Sequence, residues 1–371
     1  MPKHLVLAGA GHAHLTILSQ IADLTNAGHR VTVVSPSVFH YYSGMGPGML
    51  GGTYSPQAIR FPVRQMTETS GGVFVEDSIS RIDPDRKILH LASGDHLSYD
   101  VLSVNIGSYV PDTLIVGSRE DVFPVKPIDR LMAARERILS LPAAAGNKQP
   151  VVAVVGGGPA AAEIAGNVWH LANATGCSLP EIYLFTGTGL MTRFPAGVRQ
   201  RAGKILTKHG VHIDETGFVR GVHTGGVTLA SGETRPADVI IMAPGVRPSP
   251  VFGDSGLPVG PDGGLRVNAY LQCTAYPDIL GGGDCIYFEP SPLDKVGVYA
   301  VRQNPILYHN IKAALAGNGL RPFDPGGDYM LILNLGGGIG VLKKRWVTFS
   351  GKPAFRIKDY IDRRFMARFP G

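Results

Sequence analysis

One plan is written twice in this chain, and that repetition limits the fold more than any single motif. The first copy runs LVLAGAGHAHLTILSQIADL, a short apolar strand, a glycine turn and a helix, with RVTVVS as the next strand. The second runs PVVAVVGGGPAAAEIAGNVWHLA and then EIYLFT. Strand, tight turn, helix and returning strand make the βαβ unit of a doubly wound parallel sheet. Each copy then continues alike. GVFVED and KILHLASGDHLSYDVLSVNIGS read as short strands and turns ending on VLSVNIG, and GVHIDETGFVRGVHTGGVTLASGETRPADVIIMAPG repeats that meander. YPDILGGGDC and VGVYAVRQNPILYHNIKAALAG have no counterpart after the first copy, so they read as a return of the chain to the first domain. The expected fold is α/β, with two Rossmann-like domains, the second inserted in the first, and a small C-terminal region. The expected boundaries are residues 1–110 with 269–330, residues 111–268, and residues 331–371. Between the first two strands and the meander, HYYSGMGPGMLGG reads as a loop, too broken by glycine for a helix.

The glycine turns carry the first chemical expectation. A G-x-G turn that opens a helix aims backbone N–H groups and the positive helix end at a diphosphate. Gly9 and Gly11 form one such turn, and Gly156 and Gly158, followed by Pro159 and Ala160, form the other. One match alone is weak, but two in the same strand–helix context point to two dinucleotides. The third position of the motif favours a small residue for close packing. Ala161 meets that need, whereas His14 is larger and should push the first helix away or tilt it. His12 and His14 do not make a metal site, because residues two apart at a helix start point apart and no other ligand is near in sequence. His12 reads as a donor to phosphate or as a histidine that only packs. Strands that hold a ribose usually end in Asp or Glu about twenty residues past the glycines. Here the positions carry Ser35, followed by Pro36, and Thr186. Serine still suits a ribose hydroxyl. The second departure leaves NADH, NADPH or neither open.

Composition excludes other classes. At 44% hydrophobic and 17% charged residues the chain fits an ordinary globular protein. Cys177, Cys273 and Cys285 form no C-x-x-C pair and no disulfide framework, so a reducing cytoplasm is expected. No apolar run reaches the roughly 18 residues of a membrane span. The formal charge of +6 is local: residues 331–371 hold nine Lys and Arg against two Asp.

GAGHAHL, HYYSGMGPGML, LSVNIGS, VKP, GGGPAAAE, GGGDC, AVRQNP and KDYIDRRFM together resemble the two-dinucleotide-binding-domain flavoproteins. That group includes type II NADH dehydrogenases and sulfide:quinone oxidoreductases. The resemblance is closest to the pyridine-nucleotide-disulfide-oxidoreductase-like module found fused to selenophosphate synthetase. It implies FAD in the first domain, with its diphosphate at Gly9, Gly11, His12 and Ala13, and Ser35 and Pro36 at the ribose end. It further implies adenine contact through the backbone of Ile79, close passage of Asn105 and Gly107, and Gly283 and Asp284 on the ribityl or diphosphate region. Gln303 would start a helix whose positive end faces the flavin and stabilises its reduced anion. Gly156, Gly158, Pro159, Ala160 and Glu163 would take NAD(P)H, with Glu163 positioning the nicotinamide or serving only as a helix-start acid. Lys126 of VKP would lie near the flavin, or on the surface. His12 could also line the flavin edge. The implied reaction runs from NAD(P)H through flavin to a quinone-like acceptor. Its alternatives are a flavoprotein of sulfur or selenium metabolism and a sensor or assembly subunit that does not turn over. The cysteine pairs that disulfide and sulfide chemistry need beside the flavin are missing, so the three cysteines read as structural.

The tail accounts for the charge. FRIKDYIDRRFMARF places Ile357, Ile361 and Phe365 in one row, with Tyr360 and Phe369 beside it and Lys358, Arg363 and Arg364 largely elsewhere. Such a basic amphipathic helix suits an anionic membrane surface, or its apolar row docks on the protein itself. The expected setting is cytoplasmic and peripheral to a membrane, with a homodimer open and no nucleic-acid partner.

Overall fold

The computed structural model describes residues 1–141, 149–176 and 179–369. Its first sheet has five parallel strands in the order Ile279–Gly281, Val101–Val104, His4–Ala8, Arg30–Ser35, Val73–Glu76. The central strand, HLVLA, is buried along its whole length. A strand covered on both faces needs such an unbroken apolar run. The second sheet repeats the order with Val122–Pro124, Val239–Met242, Val151–Val155, Glu181–Phe185 and Val211–Asp214. In each sheet the strand after the meander lies against the strand before the glycine turn. The edge strand Ile279–Gly281 belongs to the first sheet but follows the whole of the second, so the second unit is an insertion. Both meanders are antiparallel and three-stranded, Ile79–Asp83 with Ile88–Leu91 and His96–Ser98, and Val219–His223 with Gly226–Leu229 and Thr234–Pro236.

Two hydrophobic cores result, one around each sheet. The segment read as a loop is more ordered than its glycines suggest. His40–Tyr41 pairs with Arg60–Phe61, and Gly46–Leu50 is a short, wholly buried helix. Met45, Met49, Leu50 and Tyr54 pack into the second core although they precede every strand of the second sheet. Glycine is required here for contact rather than freedom: a Cβ on Gly48 would stand 2.6 Å from the Tyr54 ring.

The tail is a three-stranded antiparallel sheet, Leu331–Asn334, Gly340–Lys344 and Val347–Gly351, backed by a helix over Lys352–Met366. Leu333, Leu335 and Val341 join the second core, and Phe365 joins the first. The tail therefore touches both halves. Its strand end runs so close to the helix Pro159–Thr175 that a Cβ on Gly166 would lie 2.3 Å from the Leu335 carbonyl oxygen.

Candidate functional site

The first glycine turn closes on the end of strand Val101–Val104. Gly9 has φ of +86°, and a Cβ there would stand 2.4 Å from the Asn105 carbonyl oxygen. Gly11 donates its N–H to that same oxygen at 3.2 Å. His14 does not hold the helix off; it is a buried strut. Its Nδ1 donates to the Gly9 carbonyl at 2.6 Å, which leaves Nε2 to accept from the Ser103 hydroxyl at 2.8 Å. Burial lowers the His14 pKa to about 4, with the Gly9 bond opposing, so the ring is neutral. Ala13 is fully buried, where a Cβ on Gly282 would meet it at 2.8 Å.

Asn105 is the hub. Its side-chain oxygen would lie 2.6 Å from a Cβ on Gly11 and equally 2.6 Å from one on Gly283, so both neighbours must be glycine. Gly283 N donates to the buried Gln303 Oε1 at 2.7 Å. Beside it, Lys126 Nζ lies 2.6 Å from Asp284 Oδ2 and 2.8 Å from the Ser108 hydroxyl. Burial alone would raise the Asp284 carboxyl; the Lys126 ammonium and the two hydrogen bonds outweigh it and hold the pKa below its ordinary value. Gly107 has φ of +72° with open space over it. At the end of the neighbouring strand Arg30–Ser35, Ser35 is buried, Pro36 is exposed, and the Ser35 carbonyl accepts from Asp77 N at 3.1 Å, just before Ile79.

Gln303 is not a helix start. The helix runs from Gly297 to Ala316, and Gln303 lies in its second turn. The preceding VGVYAV is rich in β-branched residues and Pro305 sits nearby, which misplaces the start in a local reading. Burial of Ala300, Gln303, Asn304 and Leu307 against the sheet overrides that preference. The positive helix end therefore belongs to Gly297 and its neighbours, and Gln303 acts through its side chain.

His12 is held in a box the sequence did not reveal. Its ring meets His40 edge-on at 4.6 Å, Tyr42 at 5.2 Å and Phe365 at 6.3 Å between centroids. Its Nδ1 lies 3.2 Å from His40 Nε2, and its Nε2 is buried with no partner. Asn105 Nδ2 is a second buried atom without a partner. Two orphaned polar atoms flanking a glycine turn that admits no side chain fit a bound diphosphate-bearing group. The residues suit FAD.

At the second turn, Gly156 has φ of +145° and a Cβ there would stand 2.1 Å from the Ala243 carbonyl oxygen. Gly158 caps the helix that Pro159 and Ala160 begin, with open space in front. Thr186 is buried and spends its hydroxyl proton on Asp214 O at 3.1 Å. Glu215, on the neighbouring strand's exit, accepts from Leu190 N at 2.9 Å, so a carboxylate does stand near this turn.

Glu163 faces the tail. Its carboxylate accepts from Asn334 N at 2.8 Å. Burial raises its pKa to about 7 against the opposing Lys358 charge and Asn334 N–H. Lys358, expected among the solvated charges, is only 8% exposed. Its Nζ donates to Gly44 O at 2.8 Å and Asp362 Oδ2 at 2.9 Å, and Tyr42 donates to Asp362 Oδ1 at 3.1 Å. Burial holds the Asp362 carboxyl above its ordinary range despite Lys358. Tyr42, Asp362 and Lys358 thus form a buried hydrogen-bonded group that packs beside the His12 ring at one end and acts on Glu163 through the Lys358 charge at the other. The two described cysteines take no part: both are buried and free, and burial raises the Cys285 thiol to about 11. Cys177 lies outside the described residues.

Residues 3–310 match the family model described as pyridine nucleotide-disulphide oxidoreductase. The chain belongs to that family. Among relatives, it is 25% identical to demethylphylloquinone reductase NdbB of Synechocystis over 83% of this chain and 77% of that protein. It is 23% identical to type II NADH:quinone oxidoreductase of Staphylococcus saprophyticus over 100% of this chain and 96% of that one. Among solved structures, sulfide:quinone oxidoreductase from Aquifex aeolicus matches with a TM-score of 0.77 and 18% identity, covering 99% of this chain and 91% of that one. NDH2 from Plasmodium falciparum in complex with NADH matches at 0.79 and 14%, covering 99% and 98%. These likenesses support the expected pair of Rossmann-like domains.

Proposed function

We propose that this protein is an FAD-dependent oxidoreductase that passes electrons from NAD(P)H to a quinone. The names of its relatives, demethylphylloquinone reductase and NADH:quinone oxidoreductase, agree with that reading. The observation that carries it is the buried cluster of Glu163, Lys358, Asp362 and Tyr42 adjoining the first glycine turn. Reducing a quinone to its quinol takes two electrons and two protons, while a hydride from the donor brings two electrons and one proton. One further proton must come from the protein or solvent, and a carboxyl with pKa near neutrality is suited to hold and release it.

Bound in the first domain, FAD supplies the capacity to take two electrons at once and pass them on. Gly9, Gly11, Asn105, Gly283 and Asp284 would hold it, with Ser35, Pro36 and the Ile79 backbone toward its adenosine end. Lys126 binds Asp284 and would offer its charge to the same group. Gln303 orients Gly283. Gly156, Gly158, Pro159 and Ala160 would take the nicotinamide dinucleotide, and Glu163 is assigned to proton transfer rather than to nicotinamide positioning. The two five-stranded sheets support a division into residues 1–110 with 269–330, 111–268 and 331–371, with Leu265–Val267 pairing with Ile286–Phe288 and so siding with the first unit. The burial of both described cysteines gives the sulfur and selenium alternative no support.

The acceptor's setting follows from the tail. No helix among the described residues is long and apolar enough to cross a membrane. Trp346 is 89% exposed and Tyr360 63%, with Val347, Ile357 and Ile361 also exposed among basic side chains. An apolar face ringed by Lys and Arg suits a peripheral position on an anionic cytoplasmic leaflet. The test is anaerobic mixing of the purified yellow protein with NADH and, separately, NADPH, followed by a soluble quinone. Bleaching of the flavin by at least one donor and its recovery on quinone addition are expected. Loss of neither colour nor absorbance with both donors would end the reading.

A further inference from the structure

We infer that Glu215 sets the identity of the electron donor: its free carboxylate oxygen accepts from the 2′-hydroxyl of the adenosine ribose, so the protein takes NADH and turns NADPH away. The inference rests on the proposed function above and names which of the two donors the second glycine turn takes. A dinucleotide lies across the carboxyl ends of parallel strands, and an acid ending the strand after the turn's helix usually holds its ribose. Here that place is filled by Thr186, which is buried and spends its hydroxyl proton on Asp214 O at 3.1 Å. The acid stands one strand over. Phe185 and Asp214 are register partners in the parallel pair Glu181–Phe185 and Val211–Asp214. Thr186 and Glu215 therefore leave the sheet abreast, on strands about 4.8 Å apart.

The segment from Thr186 to Met191 packs on the glycine turn. Met191 N donates to Gly157 O at 2.7 Å, and a Cβ on Gly157 would stand 2.7 Å from Thr186 O and 3.1 Å from Gly189 O. Glu215 Oε1 accepts from Leu190 N at 2.9 Å and would lie 3.7 Å from a Cβ on Gly189, so the carboxylate is fixed against this same segment. Its Oε2 makes no hydrogen bond among the described residues and remains an acceptor for a ligand hydroxyl. Charge points the same way. The adjacent Asp214 carboxylate, bonded to Thr216 N at 2.9 Å and to its hydroxyl at 2.6 Å, adds a second negative group. Among the described residues no ion pair joins a Lys or Arg to either carboxylate. Residues 186–192 contain no basic side chain, and Arg193 beyond them is exposed. A 2′-phosphate brings about two negative charges and calls for a nearby arginine, so this strand end repels it. Phe218 lies over Gly187, where a Cβ would stand 2.7 Å from its ring, and its exposed face walls the same strand ends without charge.

The experiment follows flavin bleaching by NADH and by NADPH in stopped flow, using the FAD-loaded full chain. Each rate is divided by the same variant's rate with reduced nicotinamide mononucleotide, which lacks the adenosine half. Calorimetric titration with ADP-ribose and with its 2′-phosphate reads the same choice without turnover. The wild type should favour NADH over NADPH, and ADP-ribose over its 2′-phosphate, by about tenfold or more. Glu215→Gln keeps an acceptor and removes the charge, so it should narrow both preferences roughly fivefold, mainly by improving the phosphorylated partner. Glu215→Arg should reverse both. Phe218→Ala should weaken the two donors together and keep their ratio. A wild type that prefers NADPH or does not choose would overturn the inference, as would ratios that neither Glu215 variant moves. An equal shift of the ratio by Phe218→Ala would take the discrimination away from Glu215 and also overturn it. If neither donor bleaches the flavin, the proposed function falls, and the two ADP-ribose titrations still decide the role of Glu215. Binding of neither ADP-ribose form would overturn that role as well.

Discussion

Glu163 is the residue whose charge state matters most at neutral pH. Its folded pKa near 7 lies above the ordinary carboxylate value, so the folded state favours the neutral form. The stability this contributes is complete below about pH 4.5 and is lost as pH rises through 7. Urea unfolding of wild type and Glu163→Gln at pH 5 and pH 8 should show it: the wild-type loss should exceed that of the variant by on the order of 3 kcal/mol. In stopped flow, the same variant should slow quinone reduction while leaving the rate of flavin bleaching by the donor unchanged. Lys126 is a second test. Lys126→Met leaves the buried Asp284 carboxylate without its cation, which costs about 3 kcal/mol, seen as a lower denaturant midpoint. Gly9 and Gly11 could be selected from a local motif, and Asn105, Lys126, Asp284 and Gln303 from the stretches that carry the family resemblance; hydrogen bonds tie Gly11 to Asn105, Lys126 to Asp284 and Gln303 to Gly283. His40, Asp362 and Lys358 could not be selected so. Their contacts bridge separations of 28, 320 and 314 residues, and nothing in the local pattern marks them.

The tail helix shows how an amphipathic pattern can be read correctly as a helix and wrongly as a surface. Ile357, Ile361 and Phe365 form one row by spacing, yet Phe365 is 7% exposed and packs with Tyr42 and Phe61, whereas Ile357 and Ile361 face out. The helix crosses from the tail sheet onto the first domain, so one stripe meets two surroundings along its length. Lys358, placed by the pattern among solvated charges, falls where the helix is covered and is paired there with Asp362. Docking on the protein itself therefore holds for Phe365, while Ile357, Tyr360 and Ile361 stay exposed. Replacing Trp346, Tyr360 and Ile361 by Ser should cut sedimentation with anionic vesicles at low salt several-fold and leave the melting temperature within a few degrees. Phe365→Ala should do the reverse, costing about 3 kcal/mol in denaturant unfolding with little change in vesicle binding per folded molecule. Equal vesicle binding by the triple variant and wild type would return the exposed face to a merely structural role.

At the scale of the molecule, the duplicated plan was readable because glycine turns, apolar strands and meanders are all local signals. The joint between the halves was not, because it is built from residues 45–59 and from the tail, which meet only after folding. Ending the chain at Ser350 removes Lys358, Asp362 and Phe365 together and uncovers Tyr42 and the His12 ring. The truncated protein should lose FAD on gel filtration or aggregate, and a yellow, monodisperse product would contradict the assigned joint. That joint has a kinetic consequence. Tyr54 bonds Asp359 at 2.9 Å and Tyr42 bonds Asp362 at 3.1 Å, while the end of the first tail strand, Asn334 and Leu335, is held against Glu163 and Gly166. A strap fastened to both lobes forbids the clamshell swing by which many two-lobed proteins admit one ligand and expel another. Donor and acceptor should then come and go without the lobes parting, and turnover should not follow how fast the lobes breathe.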